Sequence, residues 1–237
     1  MKPIGFSTGA IAKGDFATAL DVQRHIPRID AVELSALRDH ELSTLVDAIP
    51  HLDLEQFEYV SFHAPSKLQA LDEQAVFDLL TRLPDSWPVI VHPELLQTPS
   101  LWQQLGERLC LENMDNRKTT GRTIAELHAL FEAFPEATFC LDLGHARQVD
   151  PTMVSAMLML QEFGDRLVEL HVSEVGSRGE HRPLGATTRQ AFARIVHLVP
   201  LDCPLIIESI IPPAFIENEL DVVSAVFEAV AAQAAIA

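Results

Sequence analysis

The chain has 237 residues, with 34 acidic side chains against 17 basic ones and a formal net charge of −17. An apolar share of 48% and a charged share of 22% are those of a globular domain whose core needs neither disulfide nor structural metal. The acid excess argues against nucleic acid and against an anionic membrane surface as partners, because both are bound through clustered Lys and Arg.

Eight short apolar runs recur along the chain, each followed by a helical pattern. In order they are Ile4–Ser7, Ala31–Leu34, Tyr59–His63, Val89–His92, Leu109–Glu112, Thr138–Leu141, Leu167–Val172 and Leu205–Glu208. Their starts lie 20 to 38 residues apart, about one strand-plus-helix unit each. The helix candidates between them are Phe16–His25, Glu41–Ile49, Glu73–Leu83, Ser100–Leu105, Thr123–Phe134, Thr152–Phe163, Thr188–His197 and Glu219–Ala235. Thr123 and Glu126 have capping-box spacing, and Pro99 and Pro151 stand where a first helical turn tolerates proline. Strands alternating with helices imply parallel pairing and right-handed crossovers. Eight units predict a (β/α)8 TIM barrel, one compact domain over 1–237. An open doubly wound sheet is the rival, but Gly9-Ala-Ile-Ala-Lys-Gly14 is not its glycine fingerprint. The three cysteines, Cys110, Cys140 and Cys203, lack metal-ligand spacing and read as reduced core residues of a cytoplasmic protein. The first sixteen residues are broken by Pro and Gly and do not read as a signal peptide.

A barrel places its chemistry at the C-terminal ends of its strands. Here those ends carry His63, His92, Glu112, Asp142, His171 and Glu208, with His145 close behind Asp142. His25, His40, His51, His128 and His197 fall on helices or connections and read as structural or solvated. Three carboxylates and four imidazoles at one barrel mouth are costly to bury without a cation. Mixed nitrogen and oxygen donors favour Zn, Mn, Fe or Co over Mg or Ca.

The stretches SFHAP at 61–65, VHPE at 91–94, LENM at 111–114, LDLGHA at 141–146, ELHVSE at 169–174, GEHRPLG at 179–185 and IIES at 206–209 resemble, in order, the xylose isomerase-like TIM barrels. That group joins sugar and sugar-phosphate isomerases and epimerases with endonuclease IV-type enzymes. The resemblance implies Glu112, Asp142, His171 and Glu208 as the ligands of the epimerase-type metal. It implies His63, His92, His145 and His181 as further ligands of a polynuclear site. Where that pattern has an Asp two residues before its last His, this chain has Gly179, with Glu180 adjacent.

Two chemistries follow. In one, a divalent ion polarises a carbonyl and hydroxyl pair while Glu112 and Glu208 move a proton between carbons. In the other, two or three ions generate a hydroxide that hydrolyses a small anionic substrate. The expected cofactor is Zn, Mn or Co, one or two per chain, with His63, His92 and His145 forming a second site that shares Glu112. His181, Arg178, Arg182, Arg117 and Lys118 are expected to contact a small anionic or polyhydroxylated substrate, since guanidinium and ammonium groups suit phosphate and carboxylate. Residues 40–66 and 201–237 contain no Lys or Arg, so a basic DNA-binding face is hard to assemble. The apolar C-terminal stretch AVFEAVAAQAAIA packs either on the barrel, the favoured reading, or on a second copy of the chain.

Overall fold

In the computed structural model, which describes residues 2–234 and the side chains up to 228, the eight runs become eight parallel strands. In chain order the strands are β1 (Ile4–Ser7), β2 (Ala31–Ser35), β3 (Tyr59–His63), β4 (Val89–Val91), β5 (Leu109–Glu112), β6 (Thr138–Asp142), β7 (Leu167–Val172), a two-stranded hairpin of β8 (Glu174–Val175) and β9 (His181–Arg182), and β10 (Leu205–Ile207). Around the barrel the order is β1-β10-β7-β6-β5-β4-β3-β2, closed. The helices are α1 (Thr8–Ile11), α2 (Phe16–Arg24), α3 (Asp39–Ala48), α4 (Glu73–Leu80), α5 (Pro99–Trp102), α6 (Ile124–Ala133), α7 (Leu143–Val149), α8 (Val154–Phe163), α9 (Ala186–Phe192) and α10 (Ile216–Ala234). The (β/α)8 expectation is therefore the fold that is present.

Alternation along the strands explains the layering, since successive side chains point to opposite faces. Phe6, Val32, Leu34, Phe62, Val89, Val91, Leu109, Leu111, Phe139, Leu141, Leu170, Val172, Leu205 and Ile207 are buried in the apolar shell shared with the helices. The alternate residues face the lumen. Toward the N-terminal end they include the small apolar cluster Ile90, Cys110 and Cys140. Toward the C-terminal end they are ionisable. One sequence pattern thus builds a stable shell and a polar interior together.

Helix starts follow side-chain capping. Asp15 accepts from Thr18 N–H at 3.0 Å, Asp72 from Ala75 N–H at 2.8 Å and Thr123 from Glu126 N–H at 3.2 Å, each satisfying a backbone N–H that the first helical turn leaves unpaired. The reciprocal half of the Thr123 box is absent, because Glu126 turns to Arg122. Pro99 opens α5 as expected. Pro151 does not open a helix: Asp150 accepts from Thr152 and Ser155, and α8 begins only at Val154, after Met153 at φ 64°. α10 buries Ile216, Leu220, Val223, Val226 and Phe227 against the barrel shell, while the side chains of 229–237 lie outside the described residues. Among the described residues no helix is long and apolar enough to cross a membrane.

Candidate metal centre

Two adjacent strand ends build the middle of the site. Asn113, just past β5, donates its amide to the Asp142 carbonyl at 3.0 Å and accepts from Asp142 N–H at 2.7 Å. This clamp holds Glu112 beside Asp142. Asp142 is also the N-cap of α7: its Oδ1 accepts from His145 N–H at 2.6 Å, which leaves Oδ2 turned inward. On the far side the β6–β7 register slips by one residue between Phe139 and Cys140, so that Glu169 lies opposite Cys140 and His171 opposite Asp142. The extra residue re-aims the strand end, as such bulges do next to functional sites.

Glu112, only 1% exposed, divides its two oxygens between four imidazoles. Oε1 lies 3.0 Å from His145 Nδ1 and 3.6 Å from His171 Nδ1. Oε2 lies 3.2 Å from His63 Nε2 and 3.0 Å from His92 Nε2. Ligand atoms of Glu112, Asp142, His171 and Glu208 fall within 4.8 Å of one another, and so do those of His63, His92 and Glu112. Asp142 Oδ2, His171 Nδ1 and Glu208 Oε2 are buried without a hydrogen-bond partner. Buried polar atoms are rarely left that way. Three such atoms converging with Glu112 make a mixed nitrogen and oxygen set that fits a divalent transition-metal ion and could hold one. His145 sits differently from its expected grouping with His63 and His92. Its Nδ1 lies 3.3 Å from Asp142 Oδ2, on the Oε1 side of Glu112.

The short hairpin β8–β9 delivers His181, whose Nδ1 lies 2.9 Å from Ser173 Oγ and 3.3 Å from Glu208 Oε2. Gly179 turns this hairpin at φ +76°, and the Arg117 guanidinium packs directly over it. Arg117 is held there by Asp115 and by the Arg178 carbonyl. At the position without an acid, therefore, a guanidinium is seated. Above the centre opens a cavity of about 500 Å³, lined among others by His63, His92, Glu112, His145, His181, Glu208, Arg117 and Lys118. Arg178 and Arg182, expected at the substrate, do not line it. The Arg182 guanidinium pairs with Glu180, and Arg178 contributes its backbone.

Burial and charge set the protonation of these side chains. Burial works against charge on His63 and His145. The Glu33 charge and the Glu112 hydrogen bond nevertheless raise His63 to about 9, and the Asp142 charge raises His145 to about 10. Burial raises Asp142 to about 6. Burial also opposes ionisation of Glu208, but the charges of His171 and His181 hold its carboxyl below the usual range. Both His63 and His145 thus sit above the ordinary value of about 6.5, so near neutral pH they carry protons that a metal must displace. Zn2+ binding at about pH 7.5 is expected to release protons, and its affinity to rise as pH increases through 9 to 10. Calorimetry in buffers of different ionisation enthalpy measures this. A pH-independent affinity would contradict it.

The comparisons agree with this geometry at the level of the chain's course. A D-tagatose 3-epimerase-like protein superposes with TM-score 0.65 at 18% identity, covering 99% of this chain and 100% of that one. Endonuclease IV from Thermus thermophilus superposes with TM-score 0.61 at 19% identity, covering 95% and 99%. A xylose isomerase-like TIM barrel/4-hydroxyphenylpyruvate dioxygenase fusion protein superposes with TM-score 0.60 at 13% identity, over 97% of this chain and 43% of that one. The fold shared with these structures is a (β/α)8 TIM barrel. No family model matches the sequence, and no curated protein matches it.

Several residues of this barrel escaped sequence reasoning. Lys13 and Lys67 line the cavity beside Lys118, so three of the chain's four lysines meet there. Asp115 is 1% exposed under Arg117, with an oxygen 3.9 Å from His145 Nε2. Glu33 and Glu169, both 0% exposed, reach His171 from below. Glu33 and Glu169 carried a usable signal: each is a carboxylate in an apolar run, at a position whose alternation points it into the lumen.

Proposed function

We propose that this chain is a divalent-metal-dependent isomerase or epimerase of a small, anionic, polyhydroxylated compound. The observation that carries this reading is the convergence of Glu112, Asp142, His171 and Glu208 into one set of ligand atoms, of which Glu112 and Glu208 line the cavity. Glu112, Asp142, His171 and Glu208 would hold Zn, Mn or Co, which would supply Lewis acidity to a bound carbonyl and hydroxyl pair. Glu208, 15% exposed at its side chain and lining the cavity, takes a proton from one carbon on its face of the substrate, and Glu112 serves the other. His181, seated on Ser173, steadies Glu208. Ser7, Ser35 and Ser66 offer hydroxyls to a polyol, and Lys13, Lys67, Arg117 and Lys118 offer positive charge to its phosphate or carboxylate. The D-tagatose 3-epimerase-like neighbour supports this reading through fold alone.

A second reading, a polynuclear zinc or manganese hydrolase, is favoured by the His63–His92–Glu112 group, which could hold a second ion. The endonuclease IV neighbour supports it in the same limited way. Glycine at 179 supplies no side-chain ligand for a third ion.

Elemental analysis of purified protein, followed by assays of ketoses, sugar phosphates and phosphoesters with Mn2+, Co2+ and Zn2+ in deuterated water, tests the proposal. One or two ions per chain are expected, with solvent deuterium entering a carbon-bound position of a ketose. Three tightly held ions with phosphoester cleavage and no deuterium exchange would replace the first reading with the second.

A further inference from the structure

Beneath the ligand layer the barrel lumen holds a second polar layer that the proton-transfer chemistry does not use. Glu33 on β2 and Glu169 on β7 are fully buried, and both face one imidazole nitrogen. His171 Nε2 lies 3.1 Å from Glu33 Oε2 and 2.9 Å from Glu169 Oε1. From β3 the Tyr59 hydroxyl crosses the lumen and donates to Glu169 Oε2 at 2.7 Å. Tyr59 is the chain's one tyrosine. Among the described residues no Lys or Arg pairs with either carboxylate, so this is not a buried salt bridge of the ordinary kind. The neighbouring lumen is filled by Ile90, Cys110 and Cys140. Two carboxylates buried with only His171 and Tyr59 as hydrogen-bond partners would cost stability if packing alone placed them there.

What they share is His171. Its other nitrogen, Nδ1, has no hydrogen-bond partner and lies 3.6 Å from both Glu112 and Glu208. A neutral imidazole carries one N–H, and the nitrogen within hydrogen-bond distance of acceptors, here Nε2, keeps it. We infer that Glu33, Glu169 and Tyr59 are positioning residues for the metal. The two carboxylates hold the His171 proton on Nε2, Tyr59 locks Glu169 in place, and Nδ1 is left as a lone-pair donor aimed between Glu112 and Glu208. This rests on the reading that Glu112, Asp142, His171 and Glu208 hold an ion. Ligand histidines are commonly oriented by such partners, whose loss costs about 10- to 100-fold in metal affinity. The β6–β7 bulge belongs to the same device, since it places Glu169 and His171 opposite Cys140 and Asp142.

The single tyrosine makes the inference testable without an activity assay. Protein grown with ring-13Cζ tyrosine gives one resonance, and Zn2+ is titrated into it while its affinity is measured by competition with a chelator. The Tyr59 resonance is expected to shift as Zn2+ saturates the wild-type protein, because polarisation of His171 passes through Glu169 to the phenol. Glu169→Gln is expected to weaken Zn2+ binding by about 10- to 100-fold and Tyr59→Phe by less, with far-UV circular dichroism unchanged. A purely structural role would lower the melting temperature of the variants but leave the wild-type resonance unmoved by Zn2+. An unmoved resonance at saturation, or a Glu169→Gln affinity within about twofold of wild type, overturns the inference and leaves the metal centre standing. Failure of wild-type protein to bind Zn2+ at all overturns the metal reading, and this inference with it.

Discussion

Glu112→Gln is expected to empty the centre of metal and lower turnover by at least ~100-fold. The reason is the division of labour at this one carboxylate, whose oxygens face His145 and His171 on one side and His63 and His92 on the other. A glutamine keeps the shape but has one oxygen, no negative charge and an NH2 group that can only donate. One pair of imidazoles then faces a donor instead of an acceptor, and the carboxylate shared by both candidate ligand groups is lost. Elemental analysis and kcat on the substrate identified by the assay panel measure the effect. Glu208→Gln is the companion. It should retain part of the metal, since Glu112, Asp142 and His171 remain, yet lose turnover to a similar degree. A near-native rate in Glu208→Gln would sink the two-carboxylate mechanism while leaving the metal centre intact.

Gly5→Ala is expected to destabilise the fold by at least about 3 kcal/mol, near the upper end of overpacking costs. Gly5 pairs with Ala31 on one side and Ile206 on the other. A Cβ built on Gly5 would stand 1.7 Å from the Ala31 carbonyl oxygen and 2.5 Å from its carbon. The obstacle is backbone, and β2 cannot retreat because five successive residues pair it to β3. Gly164→Ala is the control, because nothing lies within 4 Å of that Cβ. Urea denaturation of both variants decides the matter. A Gly5→Ala protein within about 1 kcal/mol of wild type would show that the barrel seam is looser than the β1–β2 register implies.

Much of this was legible in the chain because a parallel barrel writes its layers into alternation. Leu109-Cys110-Leu111-Glu112 and Phe139-Cys140-Leu141-Asp142 read as strands whose even positions turn from apolar to ionisable toward the C-terminal end. That pattern located β5 and β6 together with the carboxylates at their ends. The same logic located His63 and His171. It failed for α7 and for the β8–β9 hairpin, which are too short to show a period. It also overestimated Arg178 and Arg182, because membership of a loop does not say which way a long side chain leaves it.

What the sequence by itself determined, then, was the count and order of strand-helix units and the carboxylates and imidazoles at their ends. Both are local properties, fixed by period and by position within a run. What only the tertiary structure decided was which atoms meet. The split of Glu112 between two groups of imidazoles, the seating of Arg117 over Gly179 and the approach of Glu33 and Glu169 to His171 join residues up to 138 positions apart. So does the gathering of Lys13, Lys67 and Lys118 around one cavity. Such contacts depend on barrel closure, on the one-residue slip between β6 and β7 and on rotamers chosen within a crowded lumen. Those are outcomes of packing between distant strands, and no spacing along the chain encodes them.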